Sequence, residues 1–272
     1  MRLARRSSLP GFSLTLGITL TWLSLIVLLP LAALTLRPWE LGISGLWHSL
    51  TEPRVLAALR LSFGAATLAA AINVPLGLLI AWVMVRYRFP GRGLADSVID
   101  MPLALPTAVA GISLTALFAP KGWIGALLTP LGIKVAYTPL GVLVALIFVG
   151  LPFVVRMLEP IILDLPAEAE EAAATLGATR LQTLWRVILP ALGPTLLAGF
   201  GAALARGVGE YGSVIFIAGN MPMVSEIAPL LIVIRLEQLD YAGAAALGVV
   251  MLLLSFLILL VINRLQRRLI RT

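Results

Sequence analysis

The chain has 272 residues, 60% of them apolar and 12% charged, with a mean hydropathy of +1.03. A soluble domain carries about a quarter charged residues, so this balance marks an integral membrane protein. The absence of cysteine excludes disulfides, thiolate metal sites and cysteine nucleophiles. The net charge of +7 and pI near 10.7 fit basic residues gathered in cytoplasmic loops, with no need for a nucleic-acid partner.

A helix needs about 20 apolar residues to cross the hydrocarbon core. Taken in chain order, the first such run is 14–36, preceded by Arg2, Arg5 and Arg6. Its apolar stretch is too long for a secretory h-region and no small-residue cleavage site follows, so it reads as a retained anchor. The lone histidine, His48, falls in a short loop after it and makes no metal site alone. Further spans are predicted over 61–85, with Asn73 and Pro75; over 97–119, with Pro102 and Pro106 one turn apart; and over 139–158. A fifth is predicted over 191–217 and a sixth over 241–263. The apolar piece 227–234 is too short to cross and reads as a re-entrant or surface helix. The expectation is an all-α polytopic fold of six spans in one transmembrane domain, 1–272.

Six spans place both termini on one side. Of the twenty basic residues, thirteen lie on that side, six on the other, and Arg206 lies inside the fifth span. By the positive-inside rule both termini are cytoplasmic. Proline and glycine inside the spans free backbone groups that protein or cavity water must satisfy, which suits a bundle lining a pathway. It is also what ordinary kinked packing looks like.

The cytoplasmic loop 159–190 has helical patterning. Pro166 and the acids Glu168, Glu170 and Glu171 suit a helix start. Ala172, Ala173 and Ala174 continue it with almost no bulk, and Gly177 permits a break. Thr179 and Gln182 have capping-box spacing. Leu181, Leu184, Trp185 and Ile188 then form an apolar stripe that Pro190 is expected to end. The surface lacks the Lys/Arg-rich face of a membrane-lying helix.

This segment resembles the E-A-A-x3-G-x9-I-x-L-P loop of permease subunits of ATP-binding-cassette importers. Glu171, Ala172 and Ala173 open it, Gly177 follows at the family spacing, and Leu189 and Pro190 close it, with Val187 in place of isoleucine. A wider resemblance covers nearly the whole chain. "LPGFSLTLGITL", "RYRFPGRGLADSVIDMPLALPTAVAGISL", "LPFVVRMLEP", "GEYGSVIFIAGNMP" and "RLEQLDYAGAAA" are similar to T-type permeases of sulfate/thiosulfate importers. Molybdate and tungstate permeases share the "LPTAVAG" and "GEYG" pieces but lack the extra lead-in span. The resemblance implies a type I importer permease fold and a coupling loop that docks on an ATPase. It further implies a second, W-type permease, two ATP-binding subunits and a periplasmic sulfate-binding protein, all in an inner membrane. No phosphate-binding glycine loop occurs in this chain, so ATP and magnesium belong on the partner ATPase and no cofactor is expected here.

Arg206 and Glu210 stand four apart inside an apolar run, where each unpaired charge costs about 2.5–3.5 kcal/mol on the mildest scale. Three readings remain open: a self-neutralising pair that fixes packing, a gate in which Glu210 exchanges partners, and an anion contact through Arg206. Pro102, Pro106 and Thr107 line a pathway or gate if the third span is broken there, with Ser113 as a further polar contact, or else serve packing. Asn73 is expected to hydrogen-bond between helices, a contact worth about 0.6 kcal/mol. An ion-coupled secondary transporter is the competing class. It leaves the coupling loop without a role, and Glu210 already has its own arginine. Enzyme motifs such as H-E-x-x-H and G-x-S-x-G are absent.

Overall fold

A computed structural model describes residues 11–271, so Arg2, Arg5 and Arg6 lie outside the described residues. The described residues form helices and turns, with no strand among them. Five helices are long and apolar enough to cross a membrane, and a bent pair makes the sixth candidate span.

Helix α1 runs through Phe12–Leu23, a π-helical turn at Ser24–Leu28 and Leu29–Leu36. The π turn has a local cause. Pro30 has no N–H and its ring crowds the carbonyl four residues back, and the widened turn just before it absorbs both problems. No described side chain of α1 is buried, which suits a lipid-facing anchor. After the 3₁₀ turn at Arg37–Leu41, Gly42 adopts φ 66° and redirects the chain into α2, Gly42–Thr51. His48 therefore sits on a helix rather than in the expected loop, because no proline interrupts the run from Ile43 to Thr51 and Gly45 is tolerated within it.

Helix α3, Pro53–Arg86, begins with proline in its first turn, where the missing N–H costs nothing. At 1.5 Å per residue it is about 51 Å long, so the predicted 61–85 is only its inner part. Three helices make the core: α3, α6 (Pro139–Leu163) and the long helix α8, which runs continuously over Arg180–Val208. They approach closely because their facing residues are small. Ala58, Ala65, Ala66, Ala69, Ala70 and Ala81 are all buried on α3. A side chain at Gly77 would strike Val154 at 2.7 Å, and one at Gly207 would press on Ala66 at 3.3 Å. Without a hydrophobic force between helices in lipid, such backbone approach is the main source of packing energy.

The third span departs from the straight crossing expected over 97–119. It consists of α4, Arg92–Ala104, and α5, Thr107–Phe118, bent by 112°. The cause is Pro106, which forces Leu105 out of the helical region, to φ −76° and ψ 138°. The fifth span also ends early. Helix α8 stops at Val208, short of the predicted 217; the Gly209–Ser213 segment is non-helical, and a short turn of helix, α9, follows at Val214–Ile217. The apolar piece near 227–234 forms α10, Ala228–Glu237, with Ala228, Leu230 and Leu231 buried, packed on α3 and α11 (Tyr241–Arg271).

Asn73 does not make the expected interhelical hydrogen bond. Its amide is fully buried against Gly150, and neither the oxygen nor the nitrogen has a partner.

Candidate functional site

Two places in the fold carry the sequence's unusual residues. The first is the loop between α6 and α8. Helix α7, Ala167–Thr175, follows Pro166, with Glu168 and Glu170 in its first turn. Gly177 has φ 77°, the left-handed conformation that turns the chain back. Thr179 then caps α8. Its hydroxyl accepts from the Gln182 N–H at 3.3 Å, and the Gln182 side chain accepts from the Thr179 N–H at 2.8 Å. The capping box is therefore formed.

Pro190 does not end this helix, contrary to the sequence expectation. A π turn at Leu184–Ile188 precedes it, as another precedes Pro30 in α1, and α8 passes through to the membrane. The part of the loop from Arg180 onward and the fifth span are thus one continuous helix, whereas α7 is set off from it by the turn at Gly177. The expected stripe divides: Ile188 is buried and Leu184 half-buried, whereas Leu181 and Trp185 are exposed. Glu171 and Ala172 are exposed, Ala173 is buried, and Leu176 stands 88% exposed beside Gly177. Leu189 is half-buried and Pro190 exposed. Leu176, Leu181 and Trp185 therefore project from this loop.

An ion pair invisible to sequence periodicity ties this loop to the bundle. Arg86, at the end of α3, donates to Glu170 Oε1 at 2.9 Å and to the Leu165 carbonyl at 3.3 Å, and lies over Trp82 at 5.1 Å.

The second place is where the two broken spans meet. The start of α5, just past the Leu105–Pro106 break, packs on the Gly209–Ser213 segment, and glycine makes the fit possible. A side chain at Gly212 would overlap Thr107, and one at Gly111 would overlap the Ser213 backbone. Gly111→Ala must therefore push the two breaks apart. We expect a loss of about 1–3 kcal/mol, as for overpacking generally, read as a lowered melting temperature of the solubilised protein. Pro102 lies inside α4 and does not break it. Pro106 and Ser113 are exposed, and Thr107 is half-buried at the junction.

Arg206 and Glu210 belong to this junction. Arg206 is in the last turn of α8, while Glu210 lies just past its end, so they pair across a helix terminus rather than along one helix face. The Glu210 side chain is 2% exposed and that of Arg206 is 32% exposed. Glu210 Oε2 takes the arginine, and Oε1 accepts from the Ser213 N–H at 2.9 Å and its hydroxyl at 2.8 Å. The carboxylate therefore also holds the non-helical segment in shape.

Glu210 is not the sole buried acid. Glu226 is equally enclosed and takes a two-pronged bond from Arg54 at 2.7 and 2.8 Å. Arg235 is buried as well, bonded to Ser49, Glu52 and the Gly243 carbonyl. Sequence reading missed these pairs because partners such as Arg54 and Glu226 lie 172 positions apart.

Comparison with known proteins places this architecture. The family described as binding-protein-dependent transport system inner membrane component matches residues 73–271. The chain belongs to that family. Among individual relatives of this permease, the sulfate transport system permease protein CysT of Synechococcus elongatus is 50% identical, covering 95% of this chain and 96% of the relative. The protein of the same name from Escherichia coli is 47% identical, covering 97% and 95%. A bacterial alginate ABC transporter solved with its pentasaccharide-bound periplasmic protein has a chain of the same fold, at TM-score 0.78 and 18% identity, covering 96% of the permease and 95% of that chain. The MetNI methionine ABC transporter matches at TM-score 0.59 and 19% identity, covering 80% and 99%. The permease is accordingly a multi-pass membrane subunit of an ABC transporter, with the type I importer fold, and it works with other subunits rather than as an enzyme.

Proposed function

We propose that this permease is the T-type subunit of an ATP-driven importer of sulfate and thiosulfate. The observation that carries the reading is end-to-end identity of 47–50% with sulfate transport permeases, covering both the coupling loop and the broken-span junction. The anion crosses between this chain and a second, W-type permease. A periplasmic sulfate-binding protein delivers it, and two ATPase subunits, which carry ATP and magnesium, drive the cycle. Both termini and the 159–190 loop face the cytoplasm, in keeping with the excess of basic residues on that side.

The loop geometry suits ATPase docking. Glu171, Ala172, Ala173 and Gly177 give a low-relief surface, beside which Leu176, Leu181 and Trp185 project. An exposed apolar patch rimmed by charge is a protein-binding surface. Because Leu189 and Pro190 lie within the α8 rod, displacement of the docked surface is carried into the membrane by one helix.

At the junction, Arg206, Glu210, Pro106 and Thr107 form the gate region, with Pro102 in the arm leading to it. Glu210 is committed to three donors, so the outward-facing part of the pair is the cationic guanidinium. An approaching dianion meets Arg206 rather than the carboxylate.

Reconstitution tests the assignment. Liposomes bearing all four kinds of subunit should take up labelled sulfate only with internal ATP, with competition by thiosulfate and little by molybdate. Molybdate competing as well as thiosulfate would reassign the substrate. Uptake driven by an ion gradient without ATPase would overturn the importer reading.

A further inference from the structure

Helix α4 is held in an unusual way. None of its residues is buried, and α6 is the main element against which it packs. Besides the half-buried Ile99, which packs on the core, the polar contacts that join the two run through a single arginine. Arg156, on α6, grips both oxygens of Asp100 at 2.8 and 2.7 Å and binds Asp96 Oδ1 at 2.8 Å. It also reaches the Asp96 carbonyl at 3.2 Å and Glu159 Oε2 at 2.7 Å. Asp96 and Asp100 lie one turn apart on α4. Glu159 lies one turn beyond Arg156, where α6 leads into the coupling loop.

The surroundings leave α4 room to move. An open cleft of about 380 Å³ separates α3, α4 and α6 beside this cluster, lined by Met84, Arg92, Asp96, Arg156, Glu159 and Leu163. Three carboxylates share one guanidinium there, so removing the arginine leaves like charges facing each other across the helix gap. The other end of α4 is the Leu105–Pro106 break, beyond which α5 abuts Gly212 and Ser213 through Thr107 and Gly111.

We propose that Arg156 is the positioning residue through which the coupling loop acts on the broken third span. It clamps Asp96 and Asp100 to Glu159, so that α4 and the break move with the loop. The inference rests on the importer reading above and assigns the link between its two sites. Arg156 touches neither ATP nor anion; it acts through α4. A planar, bidentate guanidinium fixes the angle of α4 as well as its distance, which a lysine cannot do.

The test uses the complete transporter in liposomes and reads three quantities: assembly, ATP hydrolysis and sulfate uptake. Arg156→Asp should leave the subunits assembled and hydrolysing ATP, while uptake falls about tenfold or more and ATP spent per anion rises in proportion. Combining it with Asp100→Arg restores the same net charge in the cluster and should recover most of the uptake. Arg156→Lys keeps the charge and serves if the reversal fails to assemble; ATP spent per anion should rise severalfold. The proposal is overturned if uptake and hydrolysis fall together in Arg156→Lys, if that variant keeps the wild-type ratio, or if the assembled reversal is not rescued by its partner change. A wild-type complex lacking ATP-driven sulfate uptake would instead overturn the importer reading, so the two failures are distinct.

Discussion

Gly177→Glu is expected to abolish sulfate uptake while leaving the chain inserted in the membrane. Two effects combine at this position. Gly177 has φ 77°, where an L-residue costs about 1–2 kcal/mol. A carboxylate there also stands between Leu176 and the α8 cap, on the surface proposed to dock the ATPase. Burying such a charge without a partner at an interface costs about 2–5 kcal/mol. At about 1.4 kcal/mol per tenfold, docking weakens by roughly 30-fold or more. Gly177→Ala separates the two effects. A methyl at Gly177 meets nothing within 4 Å, so it brings only the backbone strain and should retain much of the uptake. Co-purification of the ATPase with each variant is the direct measurement. An ATPase that co-purifies equally with wild type and Gly177→Glu would remove this surface from the docking site.

Glu210→Ala should destabilise the permease more than any other single change at the junction. The substitution strands Arg206 and leaves the buried Ser213 N–H and hydroxyl without their acceptor. Breaking a buried pair on one side costs about 3–5 kcal/mol, and the partial exposure of Arg206 places this case toward the lower end. The double change, Arg206→Ala with Glu210→Ala, removes the stranded charge and should recover part of the loss. Recovery is incomplete because Ser213 still lacks its acceptor, at about 1–3 kcal/mol for an unsatisfied buried group. Adding Ser213→Ala removes one of the two orphaned donors and should recover a little more. Thermal unfolding of the purified variants gives the ordering directly. Equal destabilisation by the single and double changes would show that the pair is not an energetic unit.

The same residues show why pairing at this junction was partly legible beforehand. Charge inside an apolar run cannot stand alone, so Arg206 and Glu210 four apart announced a pair. Their spacing did not reveal that α8 ends between them. That ending makes Glu210 the anchor of a non-helical segment, through Ser213, rather than one rung on a helix face. Likewise Pro102 and Pro106 both signalled a disturbed third span. Only Pro106 breaks it, because its ring forces Leu105 extended at a point where Gly212 and Gly111 let the bent chain pack. Pro30 and Pro190 show the opposite outcome: a π turn lets the helix continue. Composition alone does not distinguish these two responses to proline.

By itself the sequence determined the membrane class, the helical character of the 159–190 loop with its Thr179–Gln182 cap, and the turn at Gly177. All of these follow from local physics: the apolar length that a bilayer requires, the needs of a helix terminus, and the freedom of glycine at positive φ. The tertiary structure alone decided the partners. It brought Arg54 to Glu226, Arg86 to Glu170, and Arg156 to Asp96 and Asp100. It also left Asn73 unpartnered against Gly150 and joined the loop from Arg180 onward to the fifth span as one helix. These depend on which helix faces meet across long stretches of chain. Small residues set that choice through the closeness of approach they allow, and periodicity along one strand of sequence does not encode it.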